Sequence, residues 1–140
     1  APYGTQASLN LLDTGLNSVT VIDGWYNDLK TPRPLAQLQA DLRALCAWAK
    51  SKGDLWYVNY AKLNPSQVDD ATFSLWSQAA MDIVVNEYDG VVIDLSRLLP
   101  GNSAANAQGL MNADLLHLTK GGHTICARLV ASALMQSMTA

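Results

Sequence analysis

Three short segments rich in β-branched and aromatic residues alternate with longer segments of helical periodicity, and this alternation is the strongest constraint on the fold. The predicted strands are residues 18–23 (SVTVID), 55–60 (LWYVNY) and 91–95 (VVIDL). Between and after them, apolar residues recur at steps of three and four, which is typical of amphipathic helices. Strand and helix in alternation predict an α/β protein, with a parallel sheet, right-handed crossovers and helices on both faces.

The ends of the predicted helices are indicated by proline, glycine and a threonine cap. Pro34 opens a helix that stops at Gly53, a second helix runs to about residue 87, and the last follows Thr119. Residues 6–16 are also predicted to be helical, and residues 99–112, rich in Gly, Asn and Ala, are predicted to form a loop.

The composition restricts the class of protein. A chain of 140 residues is expected to form one domain, and 49% hydrophobic with 15% charged residues is typical of an ordered globular protein. The net charge of −3 and the scattered basic residues argue against nucleic-acid binding. No apolar run reaches the roughly 18 residues of a membrane span, and the two cysteines lack zinc-type spacing.

Two short motifs are candidates for chemistry. In DLLHL, Asp114 and His117 fit on one turn, where the carboxylate would hold one ring nitrogen and leave the other free as a base. Taken alone, this pair also fits a loop acid beside a surface histidine. In VIDGWYNDL, Asn27 follows a strand and its amide is suited to bind an oxyanion, although such residues are also ordinary in turns.

The two motifs together resemble those of the SGNH hydrolases, also called GDSL-type esterases and lipases. The closing block of that family, Asp-x-x-His-Leu-Thr followed by Gly and Ala, is matched here by Asp114, His117, Leu118, Thr119, Gly122 and Ala127. The pair Asn27-Asp28 is similar to the family's Gly-x-Asn-Asp block, with the difference that Gly24 lies three residues before Asn27 and Trp25 occupies the place two before.

The resemblance implies a three-layer αβα, flavodoxin-like parallel sheet with the strand order 2-1-3-4-5. In that arrangement Asp114 and His117 are catalytic, and Asn27, with Gly4, forms the oxyanion hole. The family's opening strand and its nucleophilic serine have no counterpart before Ser18. We therefore expect residues 1–140 to be a single SGNH-like domain that is incomplete at its N-terminus and lacks its first strands. The nucleophile would lie outside this sequence, on a further segment or a second chain; Ser103, in GNS, is the alternative within it.

The expected function is that of a serine ester hydrolase acting on a small-molecule or carbohydrate ester, without metal or organic cofactor. Trp25 and Tyr26 are candidates for stacking on a sugar ring, and core packing is the equal alternative. The competing hypothesis is a catalytically silent SGNH-like module with a carbohydrate-binding or structural role, for instance in a larger surface or phage-tail protein. In the flavodoxin-like arrangement, Cys46 and Cys126 lie on opposite faces of the sheet, which predicts two free thiols.

Overall fold

A sheet of three parallel strands organises the part of the chain that the structure describes. The structure, a computed structural model, describes residues 18–23, 33–59, 68–98 and 101–137. The strands are β1 (Ser18–Asp23), β2 (Gly53–Asn59) and β3 (Val91–Asp94), in the spatial order β1-β2-β3. Ser18 pairs with Gly53 at one end of the sheet, and Asn59 pairs with Asp94 at the other. The three predicted strands are confirmed to within two residues, and the helix predicted at residues 6–16 lies outside the described residues.

Five α-helices accompany the strands in the described ranges. They are α1 (Leu35–Lys52), α2 (Asp70–Asp82), α3 (Leu95–Leu98), α4 (Asn102–Ala107) and α5 (Lys120–Ser137). A π-helical turn, Ile83–Glu87, continues α2. The carboxylate of Asp69 caps α2 by accepting the backbone N–H of Thr72 at 2.8 Å.

Two predictions about local structure are corrected. The third strand ends at Asp94, one residue before its predicted end. The Asp94 carboxylate accepts the backbone N–H of Ser96 at 3.1 Å and so turns the chain into α3. The predicted loop at residues 99–112 contains α4, a helix of six residues. A short helix with three alanines and two asparagines has no apolar stripe, so periodicity does not reveal it.

The core has two parts, one on each face of β2. Leu55 and Tyr57 pack against α1 and α2, whereas Trp56 and Val58 pack in a second cluster that includes residues of α4 and α5. Because side chains alternate along a strand, neighbouring residues of β2 face opposite sides, and all of β2 from residue 55 to 59 is buried. The described part is therefore an α/β structure with helices on both faces of a parallel sheet, and it is compatible with a flavodoxin-like αβα fold.

The two cysteines lie in different clusters, one on each face of the sheet. Cys46 belongs to the cluster on the α1 face, and Cys126 belongs to the cluster on the α5 face. Both are free, as predicted, and both are buried. Among the described helices, none combines the length and hydropathy that crossing a membrane requires.

Candidate acid–histidine site

The Asp114–His117 pair lies at the tip of a closed loop between α4 and α5. An antiparallel bridge joins Met111 to Leu118 at the stem of this loop. The backbone N–H of Asn112 donates to the His117 carbonyl at 2.8 Å, and that of Thr119 donates to the Leu110 carbonyl at 3.0 Å. These bonds close the loop, so the two candidate catalytic residues are held on a fixed stem.

Thr119 joins this stem to α5. Its hydroxyl donates to the Gly109 carbonyl at 2.6 Å and accepts the backbone N–H of Gly122 at 3.2 Å. The predicted helix cap is thus present, and the same side chain fixes the start of the loop to the start of α5.

The carboxylate of Asp114 holds both its own turn and the histidine ring. Oδ1 accepts the backbone N–H groups of Leu116 and His117, each at 3.0 Å. Oδ2 lies 2.6 Å from Nδ1 of His117. Two backbone hydrogen bonds fix the orientation of the carboxylate, and the carboxylate in turn positions the ring. The same carboxylate would supply the negative charge opposite a protonated ring.

The local electrostatics fix the charge of the acid. The hydrogen bond from the His117 side chain, followed by the two backbone N–H bonds, lowers the pKa of Asp114 to about 2. At neutral pH the carboxylate is ionised and accepts hydrogen bonds only, so Nδ1 of His117 must be the donor. The Nε2 of a neutral ring then carries the lone pair, which is the state that a general base requires.

Both side chains are open to solvent. The side chain of His117 is 71% exposed and that of Asp114 is 48% exposed. An exposed ring is accessible to a reactant.

The backbone within the pair is strained. Leu115, between Asp114 and His117, has a φ of +55°, a left-handed conformation that costs a leucine about 1–2 kcal/mol. Its side chain packs against the cluster on the α5 face, and its carbonyl accepts a hydrogen bond from the Asn102 side chain at 3.0 Å. Asn102 was not predicted as a residue of this site, since its position in a segment of Gly, Asn and Ala carries no periodic signal.

A second polar group lies at the carboxyl ends of β2 and β3. The amide of the buried Asn59 donates to Asp94 Oδ1 at 2.8 Å, and the Ser96 hydroxyl donates to the same oxygen at 2.6 Å. Arg97 Nε lies 3.1 Å from Asp94 Oδ2. This network fixes the ends of two neighbouring strands, at the edge where parallel sheets bind their ligands.

Of the remaining candidate residues, the structure describes only Ser103. Gly4, Trp25, Tyr26 and Asn27 lie outside the described residues. Ser103, predicted in a loop, is an exposed residue in the first turn of α4. Across the described ranges, no group of three or more His, Cys, Asp or Glu side chains is placed to hold a metal ion.

Comparisons of the chain with known protein families, curated proteins and solved structures found no match.

Proposed function

We propose that the protein is a carboxylic ester hydrolase of the SGNH type, in which His117 is the general base and Asp114 orients it. The observation that carries this proposal is the 2.6 Å contact between His117 Nδ1 and Asp114 Oδ2, made by a carboxylate that two backbone N–H groups already fix. The nucleophile in this proposal is a serine outside the present sequence, supplied by a further segment or a second chain.

The reaction follows from these roles. Nε2 of His117 takes the proton of the serine hydroxyl as its oxygen attacks the ester carbonyl carbon. The imidazolium then returns that proton to the leaving alcohol, and the carbon–oxygen bond of the ester breaks to leave an acyl-serine. Water attacks the acyl group by the same proton transfers, which releases the acid and restores the serine. Asp114 stays ionised and stabilises the imidazolium, as its low pKa supports.

The other proposed groups bind the substrate. Asn27, with Gly4, stabilises the oxyanion of the tetrahedral intermediate; one such donor contributes about 3 kcal/mol in comparable sites. Trp25 and Tyr26 contact the substrate, which is a small-molecule or carbohydrate ester. The finer fold in this proposal is the three-layer SGNH arrangement, with further strands beside β1. The exposed apolar side chains of Val19 and Val21 support it, because an apolar outer strand favours pairing.

The test combines labelling and turnover with a matched histidine variant. The full-length protein is incubated with a fluorophosphonate probe, the adduct is located by mass spectrometry, and hydrolysis of a short-chain aryl ester is followed. We expect one labelled serine, and we expect His117→Ala to lower kcat/KM at least about 10³-fold. His123→Ala is the control, because His123 is also exposed and lies six residues further along.

Each other result has a definite meaning. Labelling of Ser103 would keep the hydrolase and contradict a nucleophile outside the sequence. No labelling and no turnover would reject the hydrolase in favour of the silent carbohydrate-binding or structural module. Equal losses in the His117 and His123 variants would contradict the role of His117.

A further inference from the structure

Asn102 connects α4 to the tip of the loop that carries the acid–histidine pair. It is the first residue of α4, is 8% exposed, and donates from Nδ2 to the carbonyl oxygen of Leu115 at 3.0 Å. Burying an asparagine side chain is costly unless its polar atoms are bonded; Nδ2 has this bond, whereas the buried Oδ1 has no hydrogen-bond partner among the described residues.

The contact acts on one particular peptide group. The carbonyl of Leu115 and the N–H of Leu116 belong to the same planar peptide unit. Asn102 binds the carbonyl side of this unit, and Asp114 Oδ1 accepts the N–H side at 3.0 Å. The peptide is therefore held between the two side chains, and its orientation sets one of the two backbone hydrogen bonds that Asp114 Oδ1 accepts, the other being that from the His117 N–H.

The same peptide follows the strained residue. Leu115 has a φ of +55°, so relaxation of its backbone would rotate the peptide unit that follows it. The bond from Asn102 opposes that rotation. Asp114 Oδ1 is held by this peptide and by the His117 N–H, and Oδ2 contacts the ring of His117. A rotated peptide would remove one of the two backbone bonds that orient the carboxylate and so shift it relative to the ring.

We infer that Asn102 is a positioning residue for the acid–histidine pair, acting through the peptide between Leu115 and Leu116. This inference rests on the proposed function for its catalytic meaning, whereas its structural effect is measurable without any activity.

Asn106 supplies a matched control on the same helix. Its Nδ2 donates to the carbonyl of Met111 at 2.8 Å, so it makes the same kind of bond to the same loop. That carbonyl lies in the stem, whereas the carbonyl bound by Asn102 lies at the tip. A general loss of stability in α4 or the loop would affect both variants, whereas a positioning effect would be specific to Asn102.

The experiment follows the carboxyl carbon of Asp114 by NMR during an acid titration of the full-length protein. In Asn102→Ala we expect the pH midpoint of the Asp114 titration to rise toward the ordinary pKa of an aspartate. In Asn106→Ala we expect this midpoint to stay at its value in the unsubstituted protein. With the aryl ester, we expect Asn102→Ala to lower kcat about 10-fold or more, because small misplacements at an active site have effects of this size or larger, with KM changed less than about twofold. Equal midpoints in both variants and the unsubstituted protein would overturn the inference.

A second variant keeps the test decisive if Asn102→Ala does not fold. In Asn102→Ala/Leu115→Gly, glycine adopts the positive φ without penalty, so the turn no longer depends on the asparagine. We expect this double variant to fold and its Asp114 midpoint to fall back toward the unsubstituted value. A midpoint as high as in Asn102→Ala would overturn the inference, and so would a double variant that fails to fold while Leu115→Gly alone, which loses the same packing, folds.

The two proposals fail separately. A midpoint that responds to Asn102 in a protein without esterase activity would reject the proposed function and keep the positioning role. Ester turnover with a midpoint and a kcat insensitive to Asn102 would do the reverse.

Discussion

The carbonyl oxygen of Leu110 lies 2.1 Å from the point where a Cβ on Gly122 would be. The same carbonyl accepts the N–H of Thr119 at 3.0 Å and so belongs to the stem of the loop with the acid–histidine pair. The absence of a side chain at position 122 therefore allows the first turn of α5 to contact this stem directly.

Gly122→Ala is expected to destabilise the fold and to displace the loop. The added methyl group would overlap a backbone oxygen that cannot move without breaking the bond to Thr119, so we expect a cost at or above the upper end of the 1–3 kcal/mol typical of overpacking. Denaturant unfolding measures the free energy, and NMR shifts of the loop amides report the displacement.

The neighbouring glycine is the control for that experiment. A Cβ on Gly121 would lie 3.5 Å from the Thr119 hydroxyl oxygen, an ordinary contact. Gly121→Ala also improves helix propensity, by up to about 1 kcal/mol. Gly121→Ala is therefore expected to be neutral or stabilising, and equal losses in the two alanine variants would show that the contact with Leu110 is not the cause.

The acid titration of Asp114 tests the electrostatics of the pair. Its pKa is about 2 in the folded chain, with the hydrogen bond from His117 as the largest cause. A carboxylate whose folded pKa is lowered stabilises the fold above its unfolded pKa, near 4, and this contribution is lost as the pH falls toward 2. His117→Ala should raise the Asp114 midpoint in a carbon-detected NMR titration.

Two comparisons make this titration specific. His123→Ala should leave the Asp114 midpoint unchanged, since the groups that lower the Asp114 pKa are the His117 ring and the backbone N–H groups of Leu116 and His117. An Asp114 midpoint that stays near 2 in His117→Ala would show that the two backbone N–H groups are sufficient to lower the pKa.

The fold was predictable where one physical signal dominates. Residues 55–58 of β2 (LWYV) are buried on both faces of the sheet, and this run is continuously apolar and aromatic. α1 and α2 face the core on one side, so their apolar residues recur at helical steps. α4 was not predictable in this way, because its position depends on side-chain bonds from Asn102 and Asn106 to carbonyls further along the chain. Such bonds leave no periodic trace.

The site was predictable only where a contact joins residues close together in the sequence. Asp114 and His117 are three residues apart, so their contact is local and the motif predicts it. The hydrogen bond from Asn102 to the Leu115 carbonyl joins residues 13 positions apart, so no local motif predicts it. A leucine rarely adopts a positive φ, so the sequence gives no sign of the left-handed conformation of Leu115. The network of Asn59 with Asp94 likewise depends on strand pairing across 35 positions.

That network predicts a difference between two substitutions at position 94. Asp94→Ala removes the acceptor of the buried Asn59 amide at 2.8 Å and is expected to cost about 1–3 kcal/mol of unfolding free energy. Asp94→Asn retains an oxygen that can accept the same bond and should cost less. Thermal and denaturant unfolding measure both.

Substitution of Arg97 distinguishes the contribution of the buried Asn59–Asp94 hydrogen bond from that of the Arg97–Asp94 ion pair at the surface. Its side chain is 79% exposed, so its contact with Asp94 is expected to contribute less than about 1 kcal/mol. Arg97→Ala should therefore be close to neutral. A loss in Arg97→Ala as large as that in Asp94→Ala would assign the stabilisation to the ion pair and contradict the role of Asn59.

The two thiols test the placement of α1 and α5 on opposite faces of the sheet. Burial raises the pKa of Cys46 to about 12 and also raises the pKa of Cys126. Because the thiolate is the reactive form, we expect neither thiol to react rapidly with a disulfide reagent in the native protein near pH 8. Both should react at once in denaturant.

Single alanine variants show which of the two thiols gives each slow reaction with the disulfide reagent. The remaining thiol in Cys126→Ala is Cys46, which is fully buried in the core beside β2, so its labelling rate should equal the rate at which the native protein unfolds or opens. Cys126 is 9% exposed, so in Cys46→Ala it should react faster than Cys46 does. Rapid native labelling of Cys46 would contradict its burial. Absence of free thiols after unfolding would mean that the two cysteines are joined, which two helices on opposite faces of a sheet do not allow.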